Sequence, residues 1–313
     1  MSSIFQRPAE WDAPLERTVT LTNDKGGVGK TTVTANLAGQ IAAAGYRVLA
    51  LDLNRQANLA DDLGYRGDPS VDDGGAGLVT ALMEQTPFKP VTGVRPNLDV
   101  VPGGTRLSML TAFVLTELQT RGRGVYAALA AALAPVAGGY DLVLIDTPPE
   151  NVMLGDLALG AARWALMPTK SDGGGLVGMK LTAERFQVAR EINPRIGLLG
   201  VVLFGTGTGA KAIHAEVRSE VAAAFGGTSP MFAATIRHSE RVARDCRKMG
   251  RLAHELEVDA EAQPAWWESL RTGQRRPRLS GTTKSVSADY RQLAAEMLQV
   301  LAGAEAAAVG ERA

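Results

Sequence analysis

Residues 17–32, RTVTLTNDKGGVGKTT, form the stretch that decides the fold. The β-branched and apolar run at 17–23 predicts a buried strand. A glycine-rich turn at 25–32 follows it directly, and a helical pattern at 31–44 then ends at Gly45. Glycines in such a turn let successive backbone N–H groups point at phosphate oxygens, and the helix N-terminus adds a partial positive charge. The stretch therefore predicts a phosphate-binding loop between a strand and a helix.

The rest of the chain alternates short β-rich runs with helical patterns. Strands are predicted at 47–53, 98–102, 141–146, 163–168, 198–204 and 231–236. Helices are predicted at 106–119, 125–134, 176–192, 210–225 and 239–256. Strands separated by helices form βαβ units, so we expect an α/β fold with a mostly parallel, twisted sheet flanked by helices.

No break in composition divides this alternating pattern into two domains. We expect an N-terminal extension over residues 1–16 and a single domain over 17–313. The stretch 259–284, which holds the adjacent Trp266 and Trp267, departs from the pattern and predicts an insertion. A final helix is predicted at about 287–303.

Composition excludes several classes of protein. The 313 residues contain 33 Lys and Arg against 33 Asp and Glu, which excludes a globally basic nucleic-acid binder but allows a local basic patch. The one cysteine, Cys246, excludes an intramolecular disulfide and a cysteine-rich cluster held by one chain. No signal-like segment and no apolar run of about 18 residues is visible, so a cytoplasmic location is expected.

The end of the glycine-rich turn has the pattern of a Walker-type loop. We expect Lys30 to reach the β- and γ-phosphates of a nucleotide and the Thr31 hydroxyl to ligate Mg²⁺. The expected nucleotide-binding residues are Lys25, Gly26, Gly27, Val28, Gly29, Lys30, Thr31 and Thr32. A chance glycine-rich turn is the alternative, which the agreement of strand, loop, Lys–Thr pair and helix disfavours.

A second lysine, Lys25, begins the loop five residues before Lys30. With it the loop resembles the deviant Walker A motif of the ParA/MinD family of P-loop ATPases. The resemblance covers about residues 17–256 and the final helix. It implies that Lys25 reaches across a dimer interface to the partner's phosphates.

Two other segments carry the same resemblance. Residues 141–149, DLVLIDTPP, resemble the family's Walker B and switch II segments, which implies that Asp146 holds the Mg²⁺ shell. Residues 52–59, DLNRQANL, resemble its switch I, which implies a second acidic group at the metal, Asp52. The expected catalytic residues are Lys25, Lys30, Asp52 and Asn54.

Switch I also departs from the family's usual Asp-x-Asp-Pro-Gln. Asn54 stands where the family has the aspartate that orients the attacking water, and Arg55 stands where it has proline. An amide oxygen can orient water but cannot carry a negative charge, so we expect slow hydrolysis that depends on a partner. The alternative is that Asp52 or a residue near Asp146 compensates.

A row of cations near the end of the chain is a local anomaly in a sequence of zero net charge. It consists of Arg237, Arg241, Arg244, Lys248 and Arg251, whose spacing of 4, 3, 4 and 3 predicts one face of a helix. Such a row suits the DNA phosphate backbone and needs no base-reading group. A solvated face paired with acids and a membrane-facing helix are the alternatives.

The resemblance implies an ATP- and Mg²⁺-dependent ATPase that dimerises with ATP and binds DNA non-specifically. Such an enzyme partitions plasmid or chromosomal DNA with a ParB-like or small centromere-binding protein, and it is associated with the nucleoid. The alternative is a MinD-like positioning ATPase at the membrane. Residues 291–313 contain only two cations, Arg291 and Arg312, so that branch's basic amphipathic C-terminal helix is missing and no membrane partner is expected. A redox relative such as the nitrogenase iron protein would need paired cysteines.

Overall fold

The computed structural model describes residues 7–149, 151–207, 211–224, 229–262 and 281–310. Its strands are β1 (Thr18–Leu21), β2 (Val48–Asp52), β3 (Val91–Arg95), β4 (Leu98–Val101), β5 (Leu142–Asp146), β6 (Trp164–Thr169), β7 (Gly197–Thr206) and β8 (Met231–Arg237). Its helices are α1 (Asp12–Leu15), α2 (Lys30–Ala43), α3 (Asn58–Asp62), α4 (Ala76–Glu84), α5 (Ser108–Arg121), α6 (Ala128–Ala137), α7 (Val152–Ala161), α8 (Gly173–Ile192), α9 (Lys211–Ala224), α10 (Glu240–Met249), α11 (Ala253–Glu261) and α12 (Thr283–Gly310).

The eight strands form one sheet in the order β3-β4-β2-β5-β1-β6-β7-β8. Only the edge strand β3 runs antiparallel to its neighbour, and the other pairings are parallel. Leu21 at the end of β1 and Asp52 at the end of β2 are both in register with Asp146 at the end of β5. The loops that follow these three strands therefore meet at the carboxyl edge of the sheet, which is where ligands bind in open α/β folds.

Both faces of the sheet are buried, which explains the continuous apolar runs of its central strands. Alternate residues of β2 illustrate this, since Val48 and Ala50 contact a core that includes Leu37 of α2 and Leu293 of α12. Leu49 and Leu51 face the opposite core, which α4, α5, α6 and α7 cover. The mostly parallel, helix-flanked α/β fold predicted from the sequence is confirmed.

Several elements differ from the sequence prediction. The strand β3 and the helices α1, α3, α4 and α7 were not predicted. The predicted single helix at 239–256 is wrong, because α10 ends at Met249 and α11 begins at Ala253. Gly250 between them has a φ of 59° in the left-handed region, which ends a helix at low cost for glycine.

The residues ahead of β1 pack against the rest of the molecule. The buried Arg7 side chain donates hydrogen bonds to the carbonyls of Gly160 and Ala161 and pairs with Asp12. Leu15 is fully buried. The division into an extension, one domain and an insertion stays a prediction.

At the other end, residues 259–261 belong to α11, and the final helix begins at Thr283, earlier than expected. Trp266 and Trp267 lie outside the described residues. No helix in the described ranges combines the length and the apolar composition needed to cross a bilayer.

Candidate nucleotide-binding site

The glycine-rich loop occupies the turn between β1 and α2. Gly27 and Gly29 have φ angles of 72° and 92°, a region in which residues with a Cβ are strained. Glycine is needed at position 29 for a second reason, since a Cβ there would lie 2.6 Å from the ring of Phe204. Val28 is fully buried, whereas Gly26 and Gly27 are exposed. The loop is therefore anchored by one apolar side chain and leaves its backbone accessible.

Lys30 is folded back across the mouth of this loop. Its ammonium group donates hydrogen bonds to the carbonyl of Asn23, at 2.7 Å, and to that of Lys25, at 2.9 Å. The side chain is almost fully buried. Two backbone carbonyls thus help to hold the cation at the loop.

Asn23 organises the start of the loop, a role that the sequence analysis missed. Its side-chain amide donates to the carbonyl of Pro168 in β6, and its side-chain oxygen accepts from the backbone N–H of Lys25. Both distances are 2.9 Å, and the residue is buried. The signal in the sequence was that Asn23 is a polar residue directly after the apolar run of the first strand.

Asp146 and Thr31 meet beside Lys30. The Thr31 hydroxyl donates to Oδ2 of Asp146 at 2.7 Å, which joins the start of α2 to the end of β5. Asp52 lies alongside on β2, and both aspartates are fully buried. The structure thus brings together the three residues that the sequence analysis predicts as magnesium ligands.

The same three residues fit a divalent cation. Oδ1 of Asp146 and Oδ2 of Asp52 are buried, and neither has a hydrogen-bond partner among the described residues. Burial raises the pKa of Asp146 to about 7, and burial next to Asp146 raises the pKa of Asp52 well above its usual range. Two desolvated carboxylates and a hydroxyl supply the oxygen ligands that Mg²⁺ prefers, and its charge would offset their repulsion.

Switch I leads from this acidic pair to the surface. Oδ1 of Asp52 accepts a hydrogen bond from the Asn54 N–H at 2.7 Å, and Oδ1 of Asn54 accepts one from the Gln56 N–H at 2.9 Å. Asn54 is buried, whereas Arg55 and Gln56 are exposed. A groove of about 850 Å³ is lined by residues 54–56, 58, 107, 108, 111, 148, 149 and 151–154, so Asn54 lies in its wall.

Lys25 has an ionic partner outside the loop. Its ammonium group lies 2.6 Å from Oδ1 of Asp172, and about a third of its side chain is exposed. The neighbouring Asp24 pairs with Arg185 of α8, which also binds Asp156 of α7. The Lys25 side chain is therefore engaged by Asp172, whereas its backbone carbonyl accepts a hydrogen bond from Lys30.

A second cavity, of about 710 Å³, opens beside Thr32 at the start of α2. Phe204 at the end of β7 and Ile236 at the end of β8 form part of its wall. On its far side the cavity reaches α10. Its volume is in the range of small-molecule sites.

The predicted five-cation face is wrong as a single helical surface. Arg237 is the last residue of β8 and pairs with Asp289 of α12 at 2.7 Å. Arg251 follows α10 and pairs with Asp259 of α11 at 2.9 Å. The reason is the helix break at Gly250 described above, together with carboxylates on α11 and α12 that neutralise the two outer cations.

Three members of the row remain on α10. Arg241, Arg244 and Lys248 are exposed, and the first lies 3.9 Å from Asp245. In the described part of the chain, neither Arg244 nor Lys248 forms an ion pair. The DNA-binding role of the whole set stays a prediction, and these three residues are its accessible members.

A family model described as an AAA domain matches residues 16–198, more than half of the chain. The chain is 34% identical to the chromosome-partitioning ATPase Soj of Thermus thermophilus over 211 residues, which are 67% of this chain and 77% of that protein. It is 30% identical to the chromosome partitioning protein ParA of Myxococcus xanthus over 217 residues, which are 68% of this chain and 73% of that protein.

A solved structure supports the same fold. The ATP complex of the McdA protein of Cyanothece superimposes with a TM-score of 0.64 at 21% identity, and the match covers 83% of this chain and 98% of that chain. The likeness concerns the fold and extends beyond the segment matched by the family model.

Proposed function

This chain belongs to the ParA branch of the ParA/MinD-type P-loop ATPases, and on that basis we propose that it is a partitioning ATPase. In this proposal ATP drives formation of a homodimer, and the dimer binds DNA without sequence preference. A ParB-like or small centromere-binding protein then stimulates hydrolysis and release. The cargo is plasmid or chromosomal DNA.

The observation that carries the proposal is the meeting of Lys30, Thr31, Asp52 and Asp146 at one edge of the sheet. The buried ammonium group of Lys30 and two buried carboxylates with unpartnered oxygens lie together at the loop. Phosphoryl transfer depends mainly on positioning and on neutralising charge, and these groups supply both. The 710 Å³ cavity beside Thr32 offers room for the nucleoside.

Each residue of the site has a distinct part in the proposed reaction. Lys30 exchanges its two carbonyl partners for phosphate oxygens and neutralises charge on the transferred group. Thr31, Asp52 and Asp146 would hold Mg²⁺, which supplies Lewis-acid stabilisation of phosphate charge when bound. Asn54 orients the attacking water through its amide, and it accepts no proton.

Lys25 is proposed to act across the dimer interface. In the single chain its partner is Asp172, so reaching a second subunit requires that this exposed ion pair open. Exposed pairs of this kind are worth little, typically below about 1 kcal/mol. A phosphate bound to the partner subunit can therefore replace Asp172 as the partner of the Lys25 ammonium group.

Lys25→Ala should weaken the ATP-dependent dimer by about tenfold or more, because a hydrogen bond to a charged group contributes about 1.5–3 kcal/mol. Light scattering over a concentration series with Mg²⁺ and a non-hydrolysable ATP analogue measures the change. Lys89→Ala is the matched control, since Lys89 is exposed and lies outside the loop. A Lys25→Ala protein that dimerises like the wild type would show that this lysine has no cross-subunit role.

Asn54→Asp should speed hydrolysis by roughly tenfold, because it adds the carboxylate that can polarise water and accept its proton. An aspartate can keep the hydrogen bond from the Gln56 N–H, so local structure should persist. Steady-state phosphate release, with and without DNA, measures the change. Asn58→Asp controls for added charge in the same groove. If turnover stays the same or falls, Asn54 does not limit the rate.

A further inference from the structure

Arg95, the last residue of the edge strand β3, joins three helices. Its guanidinium donates to the carbonyl of Leu63, just after α3, at 2.8 Å, and to that of Gly250, just after α10, at 2.9 Å. It also pairs at 2.6 Å with Glu255, whose other oxygen accepts from the N–H of Leu252 ahead of α11. Carbonyls at helix C-termini lack partners within the helix and favour a cation. The Arg95 side chain therefore stabilises the C-terminal ends of both α3 and α10.

The ends of α3 and α10 also touch through their backbones. Gly64 and Gly250 have φ angles of 71° and 59°. A Cβ on Gly64 would lie 2.7 Å from the Gly250 oxygen, and one on Gly250 would lie 2.5 Å from the Gly64 Cα. No side chain separates the two helix ends, so one cannot shift without displacing the other.

A second ion pair fastens the same two helices. Nε of Arg247 on α10 lies 3.1 Å from Oδ1 of Asp62 on α3, and the Asp62 side chain is only 5% exposed. The contacts of Arg95, the Gly64–Gly250 contact and the Arg247–Asp62 pair are together called the α3–α10 tether below. Of its members, Arg95 is the one that reaches α3, α10 and α11 together.

The α3–α10 tether begins within a few residues of the acidic pair. Asp52 holds the N–H of Asn54, and the carbonyl of Asn54 accepts from the N–H of Ala57, the residue before α3. Ala57 has a φ of 48°, an unusual conformation that fixes the direction in which α3 leaves the loop. A short, hydrogen-bonded path therefore joins Asn54 to the start of α3.

We propose that Arg95 is a positioning residue that couples switch I to α10, so that the nucleotide state at Asn54 sets how α10 presents Arg244 and Lys248. The inference rests on the proposed function, because it takes α10 as the DNA-binding surface. Coupling of this kind is reciprocal, so bound DNA changes the affinity for ATP by the same factor as ATP changes the affinity for DNA.

The test compares the affinity for one mixed-sequence duplex in the presence of a non-hydrolysable ATP analogue and of ADP, at fixed salt. The wild type should bind more tightly with the analogue. The measured quantity is the ratio of the DNA affinity with the analogue to the DNA affinity with ADP. In Arg95→Met this ratio should fall about fivefold or more towards one, because allosteric couplings typically amount to 5- to 150-fold. The analogue's own affinity should likewise lose its dependence on DNA, a readout that a purely structural role would not move.

Arg163→Met is the matched control, since Arg163 is similarly buried and bridges a carboxylate and a carbonyl away from the tether. Arg95→Lys keeps a cation but cannot serve all three helices, so its ratio should fall between those of Arg95→Met and the wild type. If the Arg95→Met protein does not fold, the Arg95→Lys protein is used for the test instead.

A folded Arg95→Met or Arg95→Lys protein with the wild-type ratio would overturn the coupling and leave the proposed function standing. If the DNA affinity of the wild-type protein is the same with the analogue and with ADP, both the coupling and the proposed function are overturned.

Discussion

Replacing Lys30 by alanine should lower ATP turnover by about 10³-fold, because removing one preorganised group that stabilises transition-state charge typically costs 10²- to 10³-fold. The ammonium group of Lys30 is buried and held by two backbone carbonyls at the loop. Lys25, the other lysine of the loop, is paired with Asp172.

Phosphate release at saturating ATP and Mg²⁺ measures this change, and binding of a fluorescent ATP analogue reports whether affinity falls as well. Lys89→Ala removes an exposed lysine outside the site and should keep wild-type turnover. If Lys30→Ala retains turnover within tenfold of the wild type, the loop is not the catalytic phosphate site.

Binding to DNA should fall steeply with salt and should vary little with sequence. If Arg241, Arg244 and Lys248 contact phosphates in both subunits, a dimer makes about six contacts and the log–log salt slope is about −5. Affinity would then fall about 10³-fold between 50 and 200 mM salt. Replacing Arg244 and Lys248 together by alanine removes four contacts from the dimer, which should reduce the slope to about −2.

Gel shifts with two unrelated duplexes over a salt series measure these slopes. Arg17→Ala combined with Arg47→Ala is the charge-matched control, because both arginines are exposed and precede parallel strands, at the end of the sheet opposite the loop. The Arg244/Lys248 double variant should lose affinity alike on both duplexes. A double variant with the wild-type slope would place the DNA surface away from α10.

The phosphate loop could be predicted because its signal is local. Residues 17–44 hold the strand, the glycines, the Lys–Thr pair and the helix in one continuous stretch, and the structure has β1, the loop and α2 there. The meeting of Asp52 with Asp146 depends on the pairing of β2 with β5, which the family resemblance implied and a spacing argument alone does not give.

The basic row was misread because its outer members are decided by tertiary contacts. Arg237 pairs with Asp289, 52 residues away, and Arg251 with Asp259 on a separate helix. Gly250 ends α10 in the left-handed conformation, and its close contact with Gly64 is a tertiary feature that sequence periodicity cannot reveal. A glycine inside a charged helical pattern was the one available warning.

Arg95 was missed because the strand that carries it is weakly marked. The segment VTGVR is short and contains Gly93, which lowers the strand signal, and it forms the antiparallel edge of the sheet. The partners of Arg95 are Leu63, Gly250 and Glu255, so no local pattern indicates its position.

The measurement that tests the central claim most directly is co-sedimentation of the wild-type protein with plasmid DNA and, separately, with anionic liposomes. Each is run with Mg²⁺ and ATP, with Mg²⁺ and ADP, and without nucleotide. A DNA-partitioning ATPase should sediment with the plasmid when ATP is present and stay in solution with liposomes in all three conditions. Binding to liposomes alone, or to neither surface, would contradict it.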